Sequence, residues 1–489
     1  MGFLRRKNML RKLSNQAILP ILAFYLYLAG SAPYLGQWDS FDYLKQIVTH
    51  QFSALGIGRP VFVGYNILLW ESMRRIFGLV PLQVETVVMM GIVLSGACGV
   101  LIFQRLSREL VSSPVCQMAA IALAISPVYA IYSGYIMTEV PMLAALMASA
   151  LLIWKSGDRF RPWHDVAGGI LFGLAVGIRE QALTLGAAFL WILWVRRSDA
   201  NLRLRSMLRF CLTAGCVIMA PAVGFYFYDP AAFSERIHTW FRAIPLGSSQ
   251  IKNNIEFSLL YAFILCPGAW LGVAGAGLYR MFTNKSRGLQ PHNPEINAIP
   301  NPIWGLFCCF GLPMLILWRD ADVQMHPRYL LILLPASLIL CASLFYRWIP
   351  SRKGLVIWGM VQVLFLGLSL AAFSQYRQNQ IEKMEFARSI RESIPGAALI
   401  IAGNYSPILD YYRGIGERPQ WQIVWSGWDW DVKALDADIR EAWSHNLPVY
   451  LSTEPRGWTY FETEFLDAYY LLKDGRRVPV FKNLYQIYP

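Results

Sequence analysis

Two carboxylates, Asp39 and Asp42, stand three residues apart in the stretch Gly36–His50, directly after the first long apolar run of the chain. If the stretch is helical from Ser40 onward, that spacing sets them on neighbouring positions of one face. An acidic pair where a chain leaves a membrane could take a proton from a hydroxyl and turn it into a nucleophile. The same residues could equally open a helix, because Asp and Ser are favoured N-caps. The pair alone does not choose between these readings, so the other ionisable residues have to.

The further candidates are Arg59 in Gly58-Arg59-Pro60, Glu139 in Thr138-Glu139-Val140-Pro141, the pair Arg179-Glu180, and the run Arg319–Arg328, which holds Asp320, Asp322 and His326. Ionisable residues at membrane depth are costly and are functional candidates for that reason. Each also has a plainer role. Asp42 could be an exposed helical acid, and Glu139 could offset a helix dipole from a first turn. Arg179 and Glu180 could form an interfacial ion pair. Arg328 could snorkel while Tyr329 sits in an aromatic belt. His326 lacks a second histidine at ligand spacing, which argues against a metal site there.

What the chain must provide is a set of elements that bring these residues to one side of a membrane. The chain has 489 residues, 55% hydrophobic and 15% charged, with a mean hydropathy of +0.37. A soluble protein of this size would carry about 25% charge. Apolar runs of bilayer-crossing length recur from Ile18 to Phe373, so the expected fold class is a multi-pass α-helical membrane protein. The first run is not a cleaved signal peptide, since many spans follow it.

Basic residues Arg5, Arg6, Lys7, Arg11 and Lys12 precede the first span, near 16–32, and predict a cytoplasmic N-terminus. An outer loop, 33–80, then carries two amphipathic segments, 43–55 and 61–76, expected to lie along the interface. Further spans are expected at 81–103, 114–129, 140–154, 166–178, a short sixth ending at Arg196-Arg197, 207–228, 257–279, 303–318, 329–346 and 355–373. That makes about 11. Every inner loop in this scheme is basic, and all the candidate acids and arginines fall on the outer side. The net charge of +13 is therefore read as a topology signal, not as a nucleic-acid footprint. The eight cysteines lie in or at the ends of apolar spans, so neither disulfides nor a thiolate metal site is expected.

From Ser374 onward charged residues become frequent and strand-like runs alternate with helical ones. Strands are expected at 397–402, 422–425 and 449–452, helices at 408–412, 432–445 and 461–472, and a closing strand or hairpin at 478–488. This describes a small C-terminal α/β domain, 374–489, after a transmembrane domain, 1–373. An odd number of spans makes it extracytoplasmic. The tryptophans Trp421, Trp425, Trp428 and Trp430 could stack on a sugar, or pack this domain against the bundle.

Acids and arginines gathered at an outer membrane face suit chemistry on a lipid-linked anionic substrate. Arginine's planar fork grips phosphate in bidentate fashion, and a nearby carboxylate can deprotonate an attacking hydroxyl. Moving a sugar from a polyprenyl phosphate needs both. The layout resembles the GT-C superfamily of integral-membrane glycosyltransferases, especially the branch with protein O-mannosyltransferases and the lipid A aminoarabinose transferase. The matching residues are Trp38-Asp39-Ser40-Phe41-Asp42-Tyr43 opening the long outer loop, Thr138-Glu139-Val140-Pro141, Gly177-Ile178-Arg179-Glu180, and His326-Pro327-Arg328-Tyr329 before a span.

The resemblance implies a dolichol- or undecaprenyl-phosphate sugar donor, inversion by direct displacement, and a lipid, glycan or protein acceptor. It implies Asp39 as general base, Glu139 as a second site acid, and Arg179 and Arg328 on the donor phosphate. Arg59, His326 and Tyr329 are further candidates for that phosphate. The family's usual Asp-Glu pair is Asp39-Ser40 here, which leaves the base open between Asp39 and Asp42. No cofactor is implied with certainty, and a divalent metal is left open. The expected location is the inner or plasma membrane, among membrane lipids.

Rival classes predict other patterns. A transporter would carry mid-span charges and repeated halves with broken helices. An O-antigen ligase or polymerase would place its long outer loop late in the chain. A display scaffold would need no acids and arginines at the outer turns.

Overall fold

The structure, a computed structural model, describes residues 17–31, 38–155, 162–197, 199–242, 266–283, 327–402, 406–425, 432–452, 476–481 and 484–489. The expected ninth span, the run Arg319–His326, Trp428 and Trp430, and the expected helix at 461–472 lie outside the described residues. Contacts divide the chain into two compact units. The first combines 1–31, 53–69 and 86–371; the second combines 32–52, 70–85 and 372–489.

Helices dominate the first unit, and its longest apolar helices are those of a multi-pass membrane protein. Among the described residues four helices are long and apolar enough to cross a bilayer: Pro81–Leu110, Ala200–Tyr228, Leu330–Trp348 and Lys353–Ala371. Shorter apolar helices cover Ala17–Gly30, Ser113–Ala124 and Pro162–Ile178. The run expected as one span over 114–129 is two helices, α6 (Ser113–Ala124) and α7 (Pro127–Tyr132). The break falls at Ser126-Pro127, where the proline ring bars residue 126 from helical geometry and Ser126 is extended at ψ 126°. In chain order the elements before it are α1 (Ala17–Gly30), α2 (Trp38–Thr49), α3 (Ala54–Ile57), α4 (Pro60–Phe77) and α5 (Val84–Leu110).

The expected single amphipathic helix over 43–55 is likewise divided. It begins earlier, at Trp38, and ends at Thr49, because His50 adopts a left-handed backbone (φ 58°) that stops the helix. The His50 Nε2 lies 3.2 Å from Glu71 Oε1.

Helices α8 (Glu139–Lys155), α9 (Pro162–Ile178) and α11 (Ala200–Tyr228) form the packed centre of the first unit, with α10 (Gly186–Arg196) beside them. Glycine spacing explains the close approach. Gly169, Gly173 and Gly177 recur every fourth residue and so share one face of α9. A Cβ at Gly173 would stand 2.7 Å from Val217 Cβ and 2.9 Å from Ala214 O on α11, and one at Gly177 would strike Val61 of α4. On the α8 side, Ser149 Oγ donates a 2.7 Å hydrogen bond to Gly168 O. At the other end of this trio the buried Arg197 Nη2 lies 2.6 Å from Asp165 Oδ1, and Arg197 Nε donates to Ser206 Oγ. Further along are α12 (Pro230–Arg242), α13 (Pro267–Thr283), a 3-10 turn over Pro327–Leu333, α14 (Leu334–Trp348) and the 42-residue α15 (Arg352–Ser393). Trp358 of α15 is buried and donates its indole N–H to Met118 O at 3.0 Å.

The second unit is built on a five-stranded mixed sheet, order β2-β1-β3-β5-β4. Its strands are β1 (Ala398–Ala402), β2 (Trp421–Trp425), β3 (Val449–Ser452), β4 (Arg476–Phe481) and β5 (Leu484–Tyr488). β1 pairs in parallel with β2 and β3, so helices must carry the chain between them: α16 (Ser406–Gly414) and α17 (Val432–Ser444). The uninterrupted Ala-Leu-Ile-Ile-Ala run of β1 is buried at every position, as a covered parallel strand requires. β4, with Pro479, is an edge strand carrying a register irregularity, where a missing N–H is tolerated. Helix α2 packs against α16 in this unit, with the Phe41 and Tyr411 rings 5.9 Å apart.

Candidate functional site

In the first unit four of the candidate residues lie close together. Helix α8 runs away from Glu139, and α9 returns to end at Ile178, which brings Arg179 back to the Glu139 end. Arg179 Nη1 lies 2.9 Å from Glu139 Oε1, and Arg328 Nε, from the 3-10 turn Pro327–Leu333, lies 3.2 Å from the same oxygen. Glu139 is completely buried, and Arg179 and Arg328 are nearly so. One carboxylate oxygen thus holds two guanidiniums, at angles that make neither contact an aligned hydrogen bond. Arg179 also donates to Thr138 Oγ1 at 2.9 Å and to Gln181 Oε1 at 3.2 Å. These bonds fix the plane of its fork. Arg328 reaches the Met137 sulfur at 3.7 Å.

Arg59, also buried, pairs with Glu180 Oε2 at 3.4 Å. Its place follows from local sequence. Arg59 sits in the link between α3 and α4, and α4 approaches the glycine at the end of α9 through Val61. Arg59 and Glu180 are therefore brought together by the same glycine face that packs α9. Thr138 and Gln181 are the positioning residues that sequence reasoning passed over, although both neighbour a candidate in the chain. Tyr329 belongs to the same 3-10 turn as Arg328; His326 lies outside the described residues.

Asp39 and Asp42 belong to the second unit. Both lie on α2, Asp39 in its first turn, and both are partly buried. Asp42 Oδ2 accepts a 2.8 Å hydrogen bond from Gln46 Nε2, one helical turn on. Three residues after Asp42 on α2, Lys45 Nζ lies 2.5 Å from Asp410 Oδ2 of α16, and Arg413 pairs with the other oxygen of Asp410. Lys45 and Asp410 carried no signal in the sequence, because 365 residues separate them. Among the described residues no group of three or more His, Cys, Asp or Glu side chains is arranged to hold a metal ion.

Residues 66–225 match the family model described as dolichyl-phosphate-mannose-protein mannosyltransferase. This segment holds Glu139 and Arg179 and ends before Arg328. Among solved structures, the chain is similar to ArnT from Cupriavidus metallidurans in the apo state, at 12% identity and a TM-score of 0.50. The match covers 96% of this chain and 97% of that one.

The chain shares its fold with ArnT.

The archaeal oligosaccharyltransferase AglB from Archaeoglobus fulgidus, in complex with an inhibitory peptide and a dolichol-phosphate, aligns at 11% identity and a TM-score of 0.48. That alignment covers 90% of this chain and 70% of the other. No curated protein sequence matches.

Proposed function

We propose that this chain is a glycosyltransferase that moves a sugar from a polyprenyl-phosphate donor to an acceptor hydroxyl at the outer face of the membrane. The observation that carries the reading is the convergence of Arg179 and Arg328 on the buried Glu139. Two planar forks held side by side in a site shielded from water suit a phosphate, whose charge rises as the sugar departs. Glu139 keeps the two cations together and oriented, acting as the second site acid. Arg59, held by Glu180, extends the cationic surface of the same cluster, and His326 and Tyr329 complete the set assigned to the donor phosphate. The family model that covers residues 66–225 carries the name of a dolichyl-phosphate-mannose enzyme, which supports the donor class.

In the reaction, Asp39 takes the proton of the acceptor hydroxyl. The freed oxygen attacks the anomeric carbon as the bond from that carbon to the phosphate oxygen breaks. The bonding pair goes to the phosphate, polyprenyl phosphate leaves, and direct displacement inverts the anomeric centre. Asp42 is the alternative base. A cytoplasmic N-terminus and an extracytoplasmic C-terminal domain complete the proposed arrangement in the cell inner or plasma membrane.

The test is turnover by full-length protein in detergent with a polyprenyl-phosphate sugar. Release of polyprenyl phosphate, lost in Arg179→Met and Arg328→Met, is the expected result. No release from any dolichyl- or undecaprenyl-phosphate sugar would overturn the reading.

A further inference from the structure

Within the second unit, α2 and α16 enclose an open cleft of about 200 Å³. Phe41, Asp42 and Lys45 line it from α2, Ser406 and Asp410 from α16, and Ile423 from β2. We propose that this cleft is a subsite for one neutral sugar ring and, on the transferase reading above, that the ring belongs to the acceptor.

Three features select that ligand. The first is size. The cleft is smaller than the ~300–1,000 Å³ that holds a drug-sized molecule, so it suits a single ring. The second is charge. Asp42 and Asp410 are balanced by Lys45 inside the cleft and Arg413 beside it. An incoming anion would face two carboxylates, and an incoming cation would compete with Lys45 for Asp410. A neutral polyol disturbs neither balance.

The third is the pattern of hydrogen-bonding groups. Ser406 Oγ already donates to Ala402 O at 2.7 Å, so its oxygen is turned to the accepting role. The carboxylates accept, and an ammonium has three donors, of which Asp410 engages one. Phe41 and Ile423 add an apolar wall for the C–H face of a ring. The cleft is also held in shape, because Lys45 is tied to Asp410 and its side chain packs over Gly414, where a Cβ would stand 2.8 Å from Lys45 Cγ. A site already formed loses less free energy on ordering when the ligand arrives.

The experiment is saturation-transfer NMR on the full-length protein in detergent. The probes are methyl glucopyranoside and methyl mannopyranoside, with glucose 6-phosphate and glucosamine as charged controls. The expected result is saturation of neutral ring protons several-fold above either control. The double variant Lys45→Asp/Asp410→Lys keeps that ion pair but exchanges donor and acceptor and costs Arg413 its partner, so it should lose the signal in protein that still folds, at a lower melting temperature. If the double variant fails to fold, Ser406→Ala removes one hydroxyl from the cleft and should lower the signal several-fold. Absence of neutral-sugar saturation in the parent protein, equal saturation of the charged controls, or full signal in the folded double variant or in Ser406→Ala would each overturn the proposal. Sugar binding without polyprenyl phosphate release would leave the subsite standing and remove the transferase reading. Release without sugar binding would do the reverse.

Discussion

Arg179 and Arg328 share a single oxygen, Glu139 Oε1, at 2.9 Å and 3.2 Å. The two arginines come from parts of the chain far apart in sequence, and their like charges would repel at this separation without the carboxylate between them. Breaking a buried ion pair by removing one partner costs about 3–5 kcal/mol, since a charge is left without compensation. Glu139→Gln is therefore expected to lower the melting temperature in detergent by several degrees and to weaken donor binding. Unchanged stability together with an unchanged donor KM would show that the glutamate does not organise the pair.

Arg179 should not tolerate lysine. Arg179 spends its fork on Glu139, Thr138 and Gln181 together, a geometry that a point charge cannot reproduce. Arg179→Lys is expected to raise donor KM at least tenfold while the protein still folds. Steady-state kinetics over a range of donor concentrations gives the measurement, and parent-like KM would remove the fork from the proposal.

Asp39→Asn should reduce transfer about 10²–10⁴-fold, the usual worth of a positioned base, with donor binding intact. The same change at Asp42 should have a smaller effect. If the order is reversed, Asp42 is the base; if neither variant loses activity, α2 supplies none.

Asp165 and Arg197 make a test of structure without function. They are buried at the opposite end of α8 and α9 from Glu139, with Ser206 on Arg197 and Arg209 4.0 Å from the other oxygen of Asp165. Asp165→Asn is expected to lower the melting temperature markedly. The folded fraction should keep parental KM values, which a specific-activity assay corrected for active protein would show.

Glycine positions give a graded series. Gly173→Val places atoms where Val217 and Ala214 O already stand, whereas Gly215 on α11 has nothing within 4 Å. The first should prevent stable assembly. Gly215→Ala should be neutral, or stabilise by up to about 1 kcal/mol through helix propensity. Size-exclusion profiles and melting curves separate the two.

Much of this layout could be read from residue order alone, and the gaps have physical causes. Glu139, Arg179 and Arg328 stood out because charge beside apolar runs is conspicuous, and the expected alternation of basic loops put them at the same ends of their helices. The C-terminal sheet was legible because β1, β2 and β3 are short apolar runs bounded by turn residues. Ser126-Pro127 and His50 were harder. The proline was visible, but it could have kinked or capped the helix. A histidine in a left-handed conformation leaves no mark in the sequence. Thr138 and Gln181 are ordinary polar neighbours whose role depends on the direction of the Arg179 side chain. Lys45 and Asp410 belong to different helices with most of the chain between them, and no local pattern joins such a pair.

The contact between Lys45 and Asp410 has a consequence for biogenesis. Its two halves are separated by 365 residues, which a ribosome adds in roughly 20–70 s at ~5–20 residues per second. Throughout that interval α2 has emerged but lacks the surface against which it will rest. Chains that stop short of residue 410, through premature termination or proteolysis, would leave this helix without its mate and open to quality-control recognition, however well their membrane helices had inserted.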